Sequence, residues 1–348
     1  MSPSTGAGVP DANTVERMVL LSVLSGSWLA QAGYAMAKLG VADLLDDGPR
    51  TADELAAGCG AHPEALHRML RALAAVGLFE EPGPRTYGLN DASRLLCSGA
   101  ARSARRSAIM YGEEVFRSFA EIMHTARTGK PAFDRAHGMG FFEYLHADAE
   151  AERRYNEAMG GTGETPAAFT ASCDLDGVRT LVDVGGGTGT LLADALTARP
   201  DLWGVLLELP EVVPEARGRL AAAGVLERVR LTEGDFFDRV PSGGDLYVVS
   251  RCLHNWPDDK AVQILRTVRA AMEPGGRLVL LEKLIPEGPG FSPAKLVDLL
   301  MLVMVTGRER TLAEYRDLLT RSGFELVAAH PAPVPDPRAE SALEATAV

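Results

Sequence analysis

The stretch Leu181-Val182-Asp183-Val184-Gly185-Gly186-Gly187-Thr188-Gly189-Thr190-Leu191-Leu192 constrains this chain more than any other. A short apolar run ends in an acid, spills into four glycines and passes into a helical pattern. Side chains in such a loop would hold the backbone away from a bound cofactor, and a sharp strand-to-helix turn favours residues that tolerate positive φ. The pattern predicts a nucleotide-type strand, loop and helix.

Length and composition bound the rest. At 348 residues the chain exceeds what one core usually serves, which predicts about two domains. Hydrophobic content of 46% and charged content of 24% are ordinary for a globular protein. A net charge of −12 and a pI near 5.1 disfavour nucleic-acid and anionic-membrane partners, which are bound largely by Lys and Arg. Cys59, Cys97, Cys173 and Cys252 lie far apart and form no C-x-x-C pair, so incidental thiols in a reducing cytosol are expected. Met1 to Pro10 has neither a basic n-region nor an apolar h-region. The longest apolar run, Leu296 to Val305, is interrupted by Asp298 and too short for a bilayer, so a cytoplasmic protein with no membrane partner is expected.

Residues 1–12 are small and polar and are expected to be mobile. From Thr14 to Leu39, apolar residues including Val15, Met18, Leu21, Leu24, Trp28 and Ala32 recur at helical spacing as a broad stripe, for which a partner subunit is a candidate cover. Thr51 can cap a helix whose first turn carries Asp53 and Glu54, and a second helix runs from Pro63 to a stop at Gly77. With a hairpin over Phe79 to Leu89, this makes a winged-helix outline. Helical patterns continue to about Ser172. From Arg179, strands at 180–184, 205–208, 228–232, 245–250, 276–283 and 324–330 alternate with five helices, which predicts a mostly parallel, doubly wound α/β sheet. The expected divisions are a helical winged-helix domain over 13–100, a helical connecting region over 101–172 that lines a substrate pocket, and a cofactor-binding domain over 173–348.

The glycine spacing is G-x-G-x-G; Thr190 stands where a dinucleotide fingerprint needs its third glycine. Glu208, 21 residues after Gly187, ends the second strand, where a carboxylate can accept from both ribose hydroxyls. Asp235 and Phe236, in Gly234-Asp235-Phe236-Phe237, can meet an adenine amino group and ring face. His254 follows the fourth strand and so sits at the carboxyl edge of the sheet, with Glu282 at the end of the fifth strand and Glu309 in Gly307-Arg308-Glu309-Arg310 as flanking carboxylates. Each acid also has local basic neighbours to pair with. A histidine oriented by a carboxylate can take a phenol proton as the oxygen attacks. No His, Cys or carboxylate cluster at ligand spacing points to a metal.

Taken in order, the loop, Glu208-Leu209-Pro210, GDFF, LHNWPDD, Glu282 and GRERT resemble the plant caffeate-type and bacterial natural-product O-methyltransferases over nearly the whole chain. The resemblance implies a class I methyltransferase sheet behind a winged-helix dimerisation domain, a homodimer, S-adenosylmethionine as cofactor with S-adenosylhomocysteine as product, no metal, and a small aromatic acceptor such as those of antibiotic and other secondary metabolism. It implies His254 as general base with Glu282 and Glu309 beside it. It assigns Asp183, Gly185, Gly187, Glu208, Leu209, Asp235, Phe236, Ser250, Arg251 and Arg153 to the cofactor. Asn255, Met159, Tyr155, Asp298, Met301, Met304 and Phe142 go to the acceptor, and Asn255 stands where plant members carry an acid.

Three other readings remain. Some bacterial relatives bind S-adenosylmethionine without methylating, though these tend to lack the histidine. A winged-helix regulator would use His67, Arg68 and Arg71, against the acidic charge. A nicotinamide-dependent oxidoreductase is opposed by Thr190.

Overall fold

The computed structural model describes residues 12–100, 103–160, 169, 173–332 and 339–348. The segment expected to be mobile lies outside these except for Ala12, as do most of residues 161–172. The chain divides into two compact units, Met1–Glu113 and Glu114–Val348, so most of the expected connecting region is continuous with the second unit.

In the first unit a 28-residue helix, Ala12–Leu39, leads into the helices Ala52–Cys59 and Pro63–Ala75. Thr51 and Glu54 form a reciprocal capping box. Pro63 opens the next helix after the His62 cap, and Leu66, Leu70 and Leu73 turn one stripe of it into the core. The hairpin β2 (Glu80–Gly83) and β3 (Thr86–Gly88) is joined by β1 (Arg50–Thr51), giving the order β1-β3-β2. Two residues are too short a run for periodicity to reveal, so β1 was not foreseen. His67, one of three basic residues on the would-be recognition helix, is buried with its Nδ1 2.8 Å from the Tyr87 hydroxyl, which removes it from any nucleic-acid contact.

On the long helix, Met36 and Ala37 are buried, whereas Met18, Val19, Leu20, Leu21, Val23, Leu24 and Trp28 are 58–72% exposed. Its Glu16–Leu39 stretch has a hydropathy of 1.2 over its most apolar window and is long and apolar enough, by length and composition, to cross a membrane. The reading from uninterrupted apolar runs does not single this stretch out, because polar residues are dispersed along it.

The second unit is built on a seven-stranded sheet of β4 (Thr180–Val184), β5 (Trp203–Glu208), β6 (Val229–Glu233), β7 (Leu246–Ser250), β8 (Arg277–Glu282), β9 (Phe324–His330) and β10 (Ser341–Ala347), in the order β6-β5-β4-β7-β8-β10-β9. Strands β4 to β8 pair in parallel. Side-chain alternation sends Val182, Val184, Val205 and Leu207 into one core and Leu181, Leu206, Leu246 and Val248 into the opposite one. From β4 the chain winds outward through β5 to β6, then returns to β7 on the other side of β4. Such a reversal opens a crevice at the carboxyl ends of β4 and β7, where open α/β sheets take ligands.

The strand β10 departs from the mostly parallel expectation. It runs antiparallel to both β8 and β9, inserted between them. Its sequence, SALEATA, carries little β-branched character; pairing on both sides, not local preference, makes it a strand. Leu343 is fully buried there. Leu343→Ala is therefore expected to lower unfolding free energy by about 2–5 kcal/mol in chemical denaturation, the range for deleting a buried leucine side chain.

Candidate active site

The crevice holds a cavity of about 370 Å³ lined by the glycine loop, the ends of β5 and β7, the GDFF turn and the helices Phe141–Ala147 and Ala149–Gly160. Of the residues assigned to a cofactor, Asp183, Gly185, Gly187, Glu208, Leu209, Asp235, Phe236, Ser250 and Arg251 line it. Of those assigned to an acceptor, Phe142, Tyr155, Met159 and Asn255 do.

Local geometry explains the loop. Gly185 takes φ +68°, and a β-carbon there would lie 2.9 Å from Cys252 Sγ, so both conformation and space exclude a side chain. Glu208 receives the Gly187 and Leu209 amides, each at 2.8 Å. Burial pushes the Glu208 carboxyl above its ordinary value, and these two amides partly offset that. Asp183 is fully enclosed, both of its oxygens lack a hydrogen-bond partner, and burial together with the nearby Glu208 pushes its pKa up to about 7. An acid left in that condition suits a cationic or hydrogen-bond-donating ligand. Arg251 adopts φ +52°, unusual for a residue with a side chain, at the turn out of β7. Its guanidinium donates to the Met159 carbonyl at 3.4 Å.

His254 lies on the short turn Leu253–Asn255 after β7. It is not among the cavity-lining residues, although Cys252, Asn255 and Trp256 on the same turn are. Its Nδ1 donates to Glu309 Oε1 at 2.8 Å, and Glu282 Oε2 lies 3.7 Å away. A carboxylate oxygen only accepts, so the neutral ring carries its proton on Nδ1 and keeps a lone pair on Nε2. Burial pushes the His254 pKa down, but the charge of Glu282 and the hydrogen bond that His254 donates to Glu309 outweigh it, and the net direction is upward from 6.5. Burial, partly countered by His254 and reinforced by Glu309, raises Glu282 to about 7.

Other groups hold this centre in register. Leu253 N donates to Glu282 Oε1 at 2.8 Å, and Glu309 N to Asp298 Oδ1 at 3.0 Å. Arg310 is completely buried. It donates to the carbonyls of Leu253 and Trp256, on either side of His254, at 3.0 and 2.8 Å, and to Asp258 Oδ1 at 3.0 and 2.8 Å. A β-carbon on Gly307 would overlap the His254 carbonyl and the Asn255–Trp256 peptide. In the sequence Arg310 stands only as a possible pairing partner of Glu309, and Gly307 and Asp258 carry no assigned role. The only signal is their place within GRERT and LHNWPDD.

Other assigned residues lie outside the lining of this cavity. Arg153 does not reach the cavity; it is tied to Glu150 and Glu157 on its own helix, the ordinary fate of an arginine with acids three and four residues away. Asp298 is engaged by the Glu309 amide. Met304 is buried among Phe133, Phe141 and Leu145, and Met301 packs against the same cluster, so neither lines the cavity. Finally, one ligand-type atom each from His254, Glu282 and Glu309 lies within 4.8 Å of the others. The sequence places the two acids beside His254, but because the three lie in distant segments it shows no ligand spacing that would mark them as a metal set.

Comparison with known proteins gives a consistent result. A family model described as an O-methyltransferase domain matches residues 117–325, and one described as an O-methyltransferase dimerisation domain matches residues 21–99. The chain is 41% identical to phenazine O-methyltransferase PhzM of Lysobacter antibioticus, over 88% of this chain and 91% of that one. It is 40% identical to the mitomycin biosynthesis 6-O-methyltransferase of Streptomyces lavendulae, over 93% and 92%. The crystal structure of LaPhzM superposes with a TM-score of 0.89 at 39% identity, covering 98% and 100%. Two further matches bear on chemistry. The 8-amino-8-demethylriboflavin N,N-dimethyltransferase of Streptomyces davaonensis is 39% identical over 86% and 87%. The O-methyltransferase NcsB1 from neocarzinostatin biosynthesis, solved with S-adenosylmethionine and 2-hydroxy-5-methyl naphthoic acid, has a TM-score of 0.79 at 35% identity over 92% and 96%.

The clasp predicts that Arg310→Lys, which keeps the charge but loses the fork of donors, lowers turnover roughly 10- to 100-fold by misplacing His254. Cofactor affinity, followed by titration, is expected to be unchanged.

Proposed function

The chain belongs to the O-methyltransferase family, and we propose that it transfers a methyl group from S-adenosylmethionine to a phenolic hydroxyl of a small aromatic metabolite, with His254 as general base. The observation that carries this reading is the 2.8 Å hydrogen bond between His254 Nδ1 and Glu309, which leaves Nε2 free to accept a proton. The cavity fits the cofactor on its own evidence: an enclosed, unpartnered Asp183, a loop closed to side chains at Gly185, and Glu208 at a strand end with lone pairs to spare.

In this reading Glu208 accepts from ribose hydroxyls, Asp235 and Phe236 receive the adenine, and Asp183 with the glycine loop faces the amino-acid portion. When bound, S-adenosylmethionine supplies an electrophilic methyl group on a positively charged sulfur. His254 Nε2 removes the hydroxyl proton, and Glu309 and Glu282 stabilise the resulting imidazolium. Arg310 keeps the His254 turn fixed while the charge forms. Phe142, stacked with Trp256 at a centroid distance of 5.9 Å, and Tyr155 supply apolar surface for an aromatic ring. No metal is assigned to the transfer, since proton removal by His254 supplies the nucleophile.

Relatives that methylate nitrogen raise amine acceptors as a second reading. An amine already presents a lone pair, so a base set between two buried acids favours a hydroxyl. We also propose a homodimer in which a second copy covers the exposed face from Met18 to Trp28, in keeping with the dimerisation-domain match. Leu24→Asp, placed in that face, is expected to shift the light-scattering mass from dimer towards monomer; a wild-type monomer at micromolar concentration would contradict the proposal.

The test of the activity is a mass-resolved assay with S-adenosylmethionine against phenolic polyketides and simple catechols. The wild type is expected to give a product heavier by one methylene, and His254→Ala to lose about 10²–10⁴-fold in turnover with cofactor affinity retained. Intact turnover in that variant would sink the base assignment. The pH profile follows from the raised imidazole pKa: the base form dominates only above it, so kcat/KM rises with pH through a midpoint above 6.5. Glu309→Gln stabilises the imidazolium less and is expected to move that midpoint down.

A further inference from the structure

We propose that His254, Glu282 and Glu309 form a capture site for Zn²⁺, and that zinc held there switches the base off. The inference deepens the reading of His254 as base and rests on it.

Hydrogen bonding leaves oxygens over at this centre. Glu309 Oε1 takes the Nδ1 proton and Glu282 Oε1 takes the Leu253 amide, each at 2.8 Å. Glu282 Oε2 and Glu309 Oε2 are buried and have no hydrogen-bond partner. Both side chains are fully enclosed, and Glu282 Oε2 lies 3.7 Å from His254 Nδ1. Orienting the imidazole takes one carboxylate oxygen and stabilising its charge needs no further hydrogen bond, so base duty does not account for two buried oxygens left without a hydrogen-bond partner.

Among the described residues this is the one group of three His, Cys, Asp or Glu side chains whose ligand atoms gather within 4.8 Å of one another. Zinc bonds of about 2.0–2.2 Å to nitrogen and oxygen place tetrahedral ligand atoms roughly 3.3 Å apart, so a small inward movement closes the set. One nitrogen and two carboxylates with a fourth position open suit Zn²⁺. Calcium and magnesium favour six or more oxygens. The two carboxylates balance the charge of the ion.

Zinc would bond to the Nδ1 lone pair. The proton now on Nδ1 passes to solvent as that bond forms and Nε2 takes one up from solvent, so the neutral zinc-bound ring carries its one proton on Nε2. The lone pair that would remove the acceptor's proton is then committed to an N–H bond, so the proton count of the ring is unchanged while its base function is lost.

The test is calorimetric titration of the full-length protein with ZnCl₂ in a non-chelating buffer, with cofactor binding as the check that each variant is folded. The wild type is expected to take one zinc per chain, and Glu282→Gln and Glu309→Gln each to weaken it at least tenfold. Co²⁺ is expected to give the visible absorption of a tetrahedral site in the wild type, with the bands lost in both variants. Turnover is expected to fall at least tenfold at saturating zinc and to return with EDTA. Zinc binding indifferent to both substitutions, or abolished by Cys252→Ser with both glutamates intact, would overturn the site; turnover undiminished by bound zinc would overturn the switch. Calorimetry and the cobalt spectrum need no acceptor, so failure of the methyl-transfer reading and failure of the zinc site are separately visible.

Discussion

Two carboxylates buried beside one imidazole are unfavourable unless the surrounding structure compensates them, and the architecture around Glu282 and Glu309 is the compensation. Glu282 ends β8, which delivers it to the carboxyl edge of the sheet already desolvated. The Leu253 amide faces it from the neighbouring turn, and the Arg310 charge acts on it from the Gly307–Arg310 segment. Glu309 is fixed at its backbone by Asp298 and at its side chain by His254. Arg310 joins the two halves, because the residue next to Glu309 grips the carbonyls on either side of His254. Misplacing any of these leaves a charge in a low-dielectric interior without its partner, so the centre is held by mutual dependence.

The same dependence explains what could be read from the sequence and what could not. Strands β4, β5, β7 and β8 announce themselves as apolar runs because both faces are covered, whereas β6 is only partly buried, and the glycine loop is bounded by side chains it would otherwise strike. Glu208, Asp235, His254 and Glu282 are legible because each ends or follows a strand, and parallel topology sends every such end to one edge. The environment of Asp298 is hidden from the sequence for the opposite reason. Its partner is a backbone amide on a separate segment, and nothing in the composition of the Pro293–Met304 helix distinguishes an acid facing an acceptor from one holding Glu309. Arg153 looked available in sequence because the acids that tie it up also read as ordinary helix surface. Strand β10 was missed because alanine-rich residues take their conformation there from β8 and β9.

Arg310 illustrates a broader limit. A charged residue between two others in Arg308-Glu309-Arg310 reads as solvated surface, yet Arg308 is about half exposed and Arg310 fully buried. Glycine gives the better clue. Gly307 lets this segment press against the His254 turn, and that close approach removes water from Arg310. The glycine is visible in the sequence, but the neighbour that makes it necessary is not.

In the role proposed for His254, the balance of forces on it also bears on which acceptors it can serve. A phenol ionises near pH 10 and an unperturbed imidazole near 6.5, so proton transfer between them is uphill by about 3.5 units, or roughly 5 kcal/mol. Burial alone would widen that gap by disfavouring the imidazolium. Glu282 and Glu309 narrow it, at the expense of the fraction of enzyme carrying an unprotonated ring at neutral pH. A strong base with low occupancy and a weak base with high occupancy are both poor; the useful range lies between, with the imidazole pKa close to the working pH. Desolvation and the two carboxylates therefore act as opposing controls on one number. Acceptors whose hydroxyl is made more acidic by a neighbouring carbonyl or extended aromatic ring lie closest to what such a base can deprotonate.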